Sequence, residues 1–202
     1  EISECLVGSE MCIRDRNNVY KVSDEEYEKM LEDSVYSTGN NARIKQVIQN
    51  TRDGKDVTLA YIGGSITEGA LAKPNSMCYA EVSAKTFGVK YGKNNGENVH
   101  FINAGMSGTP SDIGVVRYNR DVIDRLPEGS DHPDVLFIEF AVNDYGTATA
   151  GKGYEGLIRQ ALKSGSAVVL VFSVFKQASG GVVCENDYRP FGTYYDLSLI
   201  HI

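Results

Sequence analysis

The 202-residue chain lacks what several classes of protein require. No apolar run approaches the ~20 residues that span a bilayer as a helix. Positive charge is in deficit: 20 Lys and Arg stand against 27 Asp and Glu, a net charge of −7. No basic cluster is interleaved with aromatics, so binding to a nucleic acid backbone by bulk electrostatics is disfavoured. Cysteine is scarce, with four residues and neither a CxxC spacing nor a disulfide framework. Histidine is scarcer still, at three, and no constellation with metal-ligand spacing occurs, so no metal or other cofactor is expected. No repeat, low-complexity tract or linker divides the chain. What is there, 42% hydrophobic and 23% charged residues, is ordinary globular composition in a length that suits one α/β domain.

The two ends stand apart. Back-translated, Met11 to Arg16 and Leu197 to Ile202 read as the two strands of one inverted DNA repeat, and they resemble a translated transposase adapter. Residues 1–16 (the adapter-like stretch itself runs Cys5 to Arg16) and 197–202 are therefore set aside as fusion scars are. Cys5, Cys12 and His201 leave the inventory with them, and Cys78, Cys184, His100 and His132 remain. Residues 17–56 then read as a helical lead-in and 57–196 as a partial domain that continues beyond Asp196.

Within the lead-in, Ser23-Asp-Glu-Glu26 is a capping-box pattern, and Tyr27, Met30 and Leu31 follow at helical spacing over about Asp24 to Asp33. Asn41 is placed to cap a second helix with Ile44, Val47 and Ile48 on its apolar stripe and Gly54 past its end. Beyond it, strands and helices alternate. Val57–Ile62, Val99–Asn103, Pro133–Phe140 and Ala167–Ser173 read as strands. Helices are expected around Tyr79–Phe87, over Ile113–Leu126 with Val116, Val122 and Ile123 inward, and over Tyr154–Lys163. Val174 to Asp196 shows no clear period and reads as loop. Such alternation implies βαβ units and a mainly parallel sheet covered on both faces.

Three of these strands end in small or polar residues. Val57–Ile62 runs into Gly63-Gly64-Ser65-Ile66-Thr67-Glu68-Gly69. Taken alone, Ser65 is equally an N-cap in a strand-to-helix turn and a residue presented at a ligand site. The second strand ends in Asn103-Ala104-Gly105-Met106-Ser107-Gly108-Thr109, and the third in Ala141-Val142-Asn143-Asp144. In a parallel sheet these ends share one edge and meet at one crevice. That convergence favours acyl transfer, which needs a nucleophile and preorganised oxyanion donors. The backbone N–H groups of Ser65 and Gly108 and the Asn143 carboxamide are the candidates.

These three motifs, in this order and on these strand ends, resemble the SGNH (GDSL-like) hydrolases, over about Val57 to Ser173. The resemblance implies a flavodoxin-like three-layer α/β/α sandwich, here incomplete at the C-terminus. It also implies an esterase or acylhydrolase acting on carboxylic esters, including carbohydrate esters, with a small-molecule or carbohydrate ester as its partner. By position Ser65 matches the nucleophile, and Gly108 and Asn143 match the oxyanion residues. Gly64 stands where the family has Asp, and Ala141 where it has Gly. The family's Asp-x-x-His, which supplies the general base and its orienting carboxylate, has no counterpart before Asp196.

Neither remaining histidine replaces it. His132 precedes the third strand, at the far edge of the sheet, and His100 lies inside the second, where a structural role is the ordinary one. Glu139 is expected in a buried strand, paired with Arg117 or Arg120. Asp144 either positions Asn143 or caps the following segment. Tyr188, Tyr194 and Tyr195 either pack on the last strand or line a sugar-binding face, and Cys78 and Cys184 read as free thiols. Two other functions compete with an esterase: a small-molecule or anion-binding module, and a pseudoenzyme without a base. Against the former, Gly63 to Gly69 lacks the Lys-Ser/Thr of a P-loop. Sequencing the adapter-free reading frame past Asp196 is expected to reveal Asp-x-x-His, and a frame without it favours the pseudoenzyme.

Overall fold

The computed structural model describes residues 23–70, 72–145, 151–173, 175–177, 180–182 and 185–201. Cys5 to Arg16, Cys184 and Ile202 lie outside the described residues. In chain order the elements are α1 (Asp24–Ser34), β1 (Val35–Ser37), α2 (Ala42–Arg52), β2 (Val57–Gly63), α3 (Ser65–Glu68), α4 (Tyr79–Tyr91) and β3 (Val99–Gly105). Then come α5 (Ser111–Asp121), β4 (Val135–Glu139), α6 (Lys152–Ser164), β5 (Ala167–Phe172), β6 (Phe175–Gln177), β7 (Gly180–Val182), α7 (Glu185–Tyr194) and β8 (Ser198–His201). Short 3-10 turns precede α4 and follow α5.

Six strands form one sheet in the order β1-β8-β5-β4-β2-β3, parallel throughout except where β1 runs against β8. The strands alternate their side chains between two buried faces, as a covered parallel sheet must. Ile62, Ile102, Ile138 and Leu170 pack with Tyr118 of α5 and Leu157 and Ile158 of α6. Tyr61, Phe137 and Val169 pack on the opposite side with Val47 and Ile48 of α2 and Phe87 of α4. The result is a three-layer α/β/α sandwich. Tyr61 and Phe137 stack with their ring centroids 4.3 Å apart, joining neighbouring strands at the centre of the second face.

Most local expectations from sequence hold, and the exceptions have physical causes. The capping box forms, with Glu26 N–H donating to Ser23 Oγ at 3.2 Å and Ser23 N–H to the Glu26 carboxylate at 2.8 Å. Asn41 makes no side-chain cap; Asn40 Oδ1 instead accepts from Ala42 N–H. Helix α5 starts at Ser111 and ends at Asp121, so Val116 faces outward and is 82% exposed rather than core, while Val122 is fully buried. The stretch read as loop contains a two-stranded β6–β7 hairpin and helix α7. Tyr188, Phe191 and Tyr195 of that stretch all pack on the α5–α6 face. Their i, i+3, i+7 spacing was a helical signal, obscured by Pro190 and Gly192. Ser198–His201, in the segment set aside as adapter-like, occupies the strand position between β5 and β1, with Leu199 and Ile200 entering opposite cores.

One buried cation ties the sheet edge together. Arg117, only 5% exposed, donates to Ala104 O at 2.6 Å and Gly63 O at 2.9 Å, the last turns of β3 and β2. It also donates to Asp121 at 2.9 Å, a carboxylate gripped again by Arg120 at 2.6 Å. The Arg120 hydrogen bond, with Arg117 adding to it, outweighs the partial burial of Asp121 and lowers its pKa from 3.8 to about 2. A depressed folded-state pKa means stability that is present above the unfolded value and lost as pH falls through the folded one. The chain should therefore lose stability between about pH 4 and pH 2 partly through this group, and Asp121→Asn should flatten that part of a denaturation-versus-pH profile.

Candidate active site

The candidate site lies where β2, β3 and β4 end in register, Gly63 lying between Gly105 and Glu139. Helix α3 is a single turn laid directly on those ends; Gly63 and Gly105 make room for it, and Gly64 makes room for Asn143. A Cβ on Gly63 would stand 2.1 Å from Thr67 Oγ1, and one on Gly105 would stand 2.1 Å from the Glu68 amide nitrogen. A Cβ on Gly64 would stand 2.0 Å from Asn143 Oδ1. The turn closes on Gly69, whose φ of +92° favours glycine.

Ser65 is the first residue of α3 and Gly64 is its N-cap, so Ser65 is not the cap that a strand-to-helix turn suggested. Its side chain is partly exposed and bonds to no described residue. Asn143 lies with its carboxamide against Gly64, one residue from Ser65. Asn143 Oδ1 is buried without a partner, and Nδ2 donates to no described group. A side chain at position 64 would displace the amide. Gly108 sits in the exposed turn after β3 with φ +71° and open space around its Cβ position, so its backbone conformation, not crowding, calls for glycine. Glu68 fastens that turn to α3 by accepting from Ser107 N–H at 2.9 Å and from the Ser107 hydroxyl.

Beneath the turn lies Glu139, fully buried. It meets neither Arg117 nor Arg120, contrary to expectation, because strand alternation turns it to the α2–α4 face while α5 packs on the other. Its carboxylate accepts from Thr67 Oγ1 at 3.0 Å and Ser173 Oγ at 2.5 Å. Burial raises its pKa, and those hydroxyls with the Gly64 and Thr67 amides oppose the rise. Asp144, 5% exposed, accepts from Ser111 N–H at 2.6 Å and from the Tyr188 hydroxyl. It therefore caps the start of α5, which precedes it in the chain. Tyr188 stacks on Tyr154 at 4.0 Å, while Tyr194 is 80% exposed. Sequence reasoning missed Thr67, Glu68, Arg117 and Glu139 as parts of the site, although Thr67 and Glu68 sit inside its first motif.

The structure brings no described histidine to Ser65. His100 pairs in the sheet with Thr58, five residues before Gly63, or about 16 Å along the strand, and binds Asp56 at 3.0 Å. It is half-exposed rather than part of the core. His132 binds Asp131 at 2.5 Å at the opposite edge of the sheet. His201 lies on β8, three strand positions from β2, about 14 Å away. Among the described residues Cys78 is a buried free thiol, no cluster could hold a metal ion, and no helix is long and apolar enough to cross a membrane.

A two-domain esterase active on acetylated mannans superimposes with a TM-score of 0.72 and 30% identity over 85% of this chain. The same esterase has been co-crystallised with mannopentaose. AlinE4, an SGNH-hydrolase family esterase, matches over 72% of the chain at 21% identity and covers 76% of its own length, with a TM-score of 0.56. The chain carries the SGNH-hydrolase fold. A tail fibre protein of an E. coli phage superimposes on it at 16% identity over 82% of this chain and 23% of its own, with a TM-score of 0.61. No protein-family model matches, and no curated protein sequence matches. This SGNH domain spans 44% of the mannan esterase's chain. Gly64→Ala should push the Asn143 carboxamide off the turn, read as a shift of its side-chain NH₂ resonances with the far-UV circular dichroism unchanged; unmoved resonances would contradict the packing described.

Proposed function

We propose that this chain is the core of a carboxylic ester hydrolase that works through Ser65, with acetyl esters on carbohydrate as its substrate class. The observation that carries the reading is the Asn143 carboxamide against Gly64, which puts an unengaged side-chain donor one residue from Ser65. In the proposed reaction Ser65 Oγ attacks the ester carbonyl and gives its proton to a base. The tetrahedral oxyanion is met by the Ser65 and Gly108 N–H groups and Asn143 Nδ2. Collapse releases the alcohol, which takes up the proton, and water then hydrolyses the acyl-serine to free the acid. The base is the histidine of an Asp-x-x-His block, which the resemblance puts beyond Asp196. The 202-residue chain on its own is accordingly expected to be nearly inactive. Carbohydrate acetyl esters are favoured over lipids because the 30%-identical mannan esterase acts on acetylated mannans. Anion binding is disfavoured, since Gly63 to Gly69 carries no Lys-Ser/Thr of a P-loop.

A serine-reactive fluorophosphonate probe tests the reading. A chain extended through the Asp-x-x-His block should be labelled at Ser65 roughly ten-thousandfold faster than the chain without it, the scale on which triad members act. Ser65→Ala should abolish labelling, and p-nitrophenyl acetate should be cleaved in preference to the palmitate. No labelling of the extended chain at Ser65 would sink the proposal, and preference for palmitate would sink its substrate class.

A further inference from the structure

We infer that Glu139 is a positioning residue for Ser65: its buried carboxylate holds the one-turn helix in the orientation from which the serine attacks. The inference rests on the esterase reading above.

A glutamate with no exposed surface and no cation beside it among the described residues is costly to bury unless its acceptor sites are filled by donors. Here they are filled from two separate elements. Ser173, just past the end of β5, donates to Oε1, and Thr67 of α3 donates to Oε2. The Gly64 and Thr67 backbone N–H groups, on either side of Ser65 in the chain, add their attraction for the charged form. An ionised carboxylate only accepts, which suits a site composed entirely of donors.

The hydroxyl directions extend the argument. A threonine hydroxyl has one proton, and Thr67 directs it to Glu139. The 2.9 Å contact between Thr67 Oγ1 and the Tyr79 hydroxyl must then have Tyr79 as donor. Tyr79 is suited to this, because burial, reinforced by the Glu139 charge, holds its pKa well above the usual phenol range. The Asn103 carboxamide binds the Thr67 carbonyl at 2.9 Å from the β3 side. Thr67 is thus fixed through its hydroxyl, amide and carbonyl, and Ser65, two residues earlier in the same turn, takes its direction from that fixture. Gly63, paired with Glu139 across the strands, leaves the space that the Thr67 side chain fills. Glutamine at 139 would keep the volume and turn an NH₂ toward groups that are themselves donors.

The test uses the extended chain and the fluorophosphonate probe, with saturation kinetics separating the probe's KI from kinact. Glu139→Gln should lower kinact by about 10- to 100-fold, the range in which misplacing a reacting group operates, with KI changed less than twofold. A merely structural role would instead lower the melting temperature and the labelled fraction while leaving kinact of the folded protein intact, and that result overturns the inference. Should Glu139→Gln not fold, Ser173→Ala removes one donor from outside α3 and should lower kinact several-fold; an unchanged kinact in that variant likewise overturns it. Absence of labelling in the unsubstituted extended chain, measured against Ser65→Ala, rejects the esterase reading itself. Normal labelling there with normal kinact in Glu139→Gln rejects only the role given to Glu139.

Discussion

The site depends on a distance of closest approach. Helix α3 rests close against the ends of three strands, and Gly63, Gly64 and Gly105 are the positions where a single methyl would collide with the turn or with Asn143. Each of these glycines costs backbone entropy that another residue would not. The return is that α3 lies close enough to the strand ends for the Glu139 carboxylate beneath it to reach Thr67.

Two buried charges flank this contact from opposite faces of the sheet. Arg117, on the α5–α6 side, gathers the last carbonyls of β2 and β3; Glu139, on the α2–α4 side, gathers hydroxyls and amides of α3 and β5. They do not pair with each other. Each neutralises unsatisfied groups of the sort that strand ends and helix starts necessarily leave. The cation takes the acceptors and the anion takes the donors.

The sequence made the architecture legible because its signals are strong and local. The apolar runs of β2, β4 and β5, the capping box at Ser23 and the small-residue strand ends all read correctly, and with them the shared edge that holds Ser65, Gly108 and Asn143. Other features were hidden for definable reasons. Helix α7 contains a proline and a glycine, which mask the spacing of Tyr188, Phe191 and Tyr195. Val116 fits an inward stripe only if α5 extends to Leu126, and the helix stops at Asp121. Glu139 was assigned a cationic partner because charge is visible in a sequence, whereas which face of a sheet a helix covers is not. The hydroxyls of Thr67 and Ser173, its actual partners, belong to residue types too common to stand out.

The hydrogen bond between Tyr188 and Asp144 has a kinetic meaning. Asp144 adjoins Asn143, and its partner lies 44 residues further along the chain; Arg117 and Gly63 are separated by 54, and Thr67 and Glu139 by 72. Contacts of such sequence separation are closed late, after the local helices have formed. On a ribosome, where N-terminal parts emerge first, Ser65 is exposed well before Glu139, Asn143 or Tyr188 exists to hold its surroundings. The geometry around Ser65 therefore arrives together with the completed sheet rather than ahead of it.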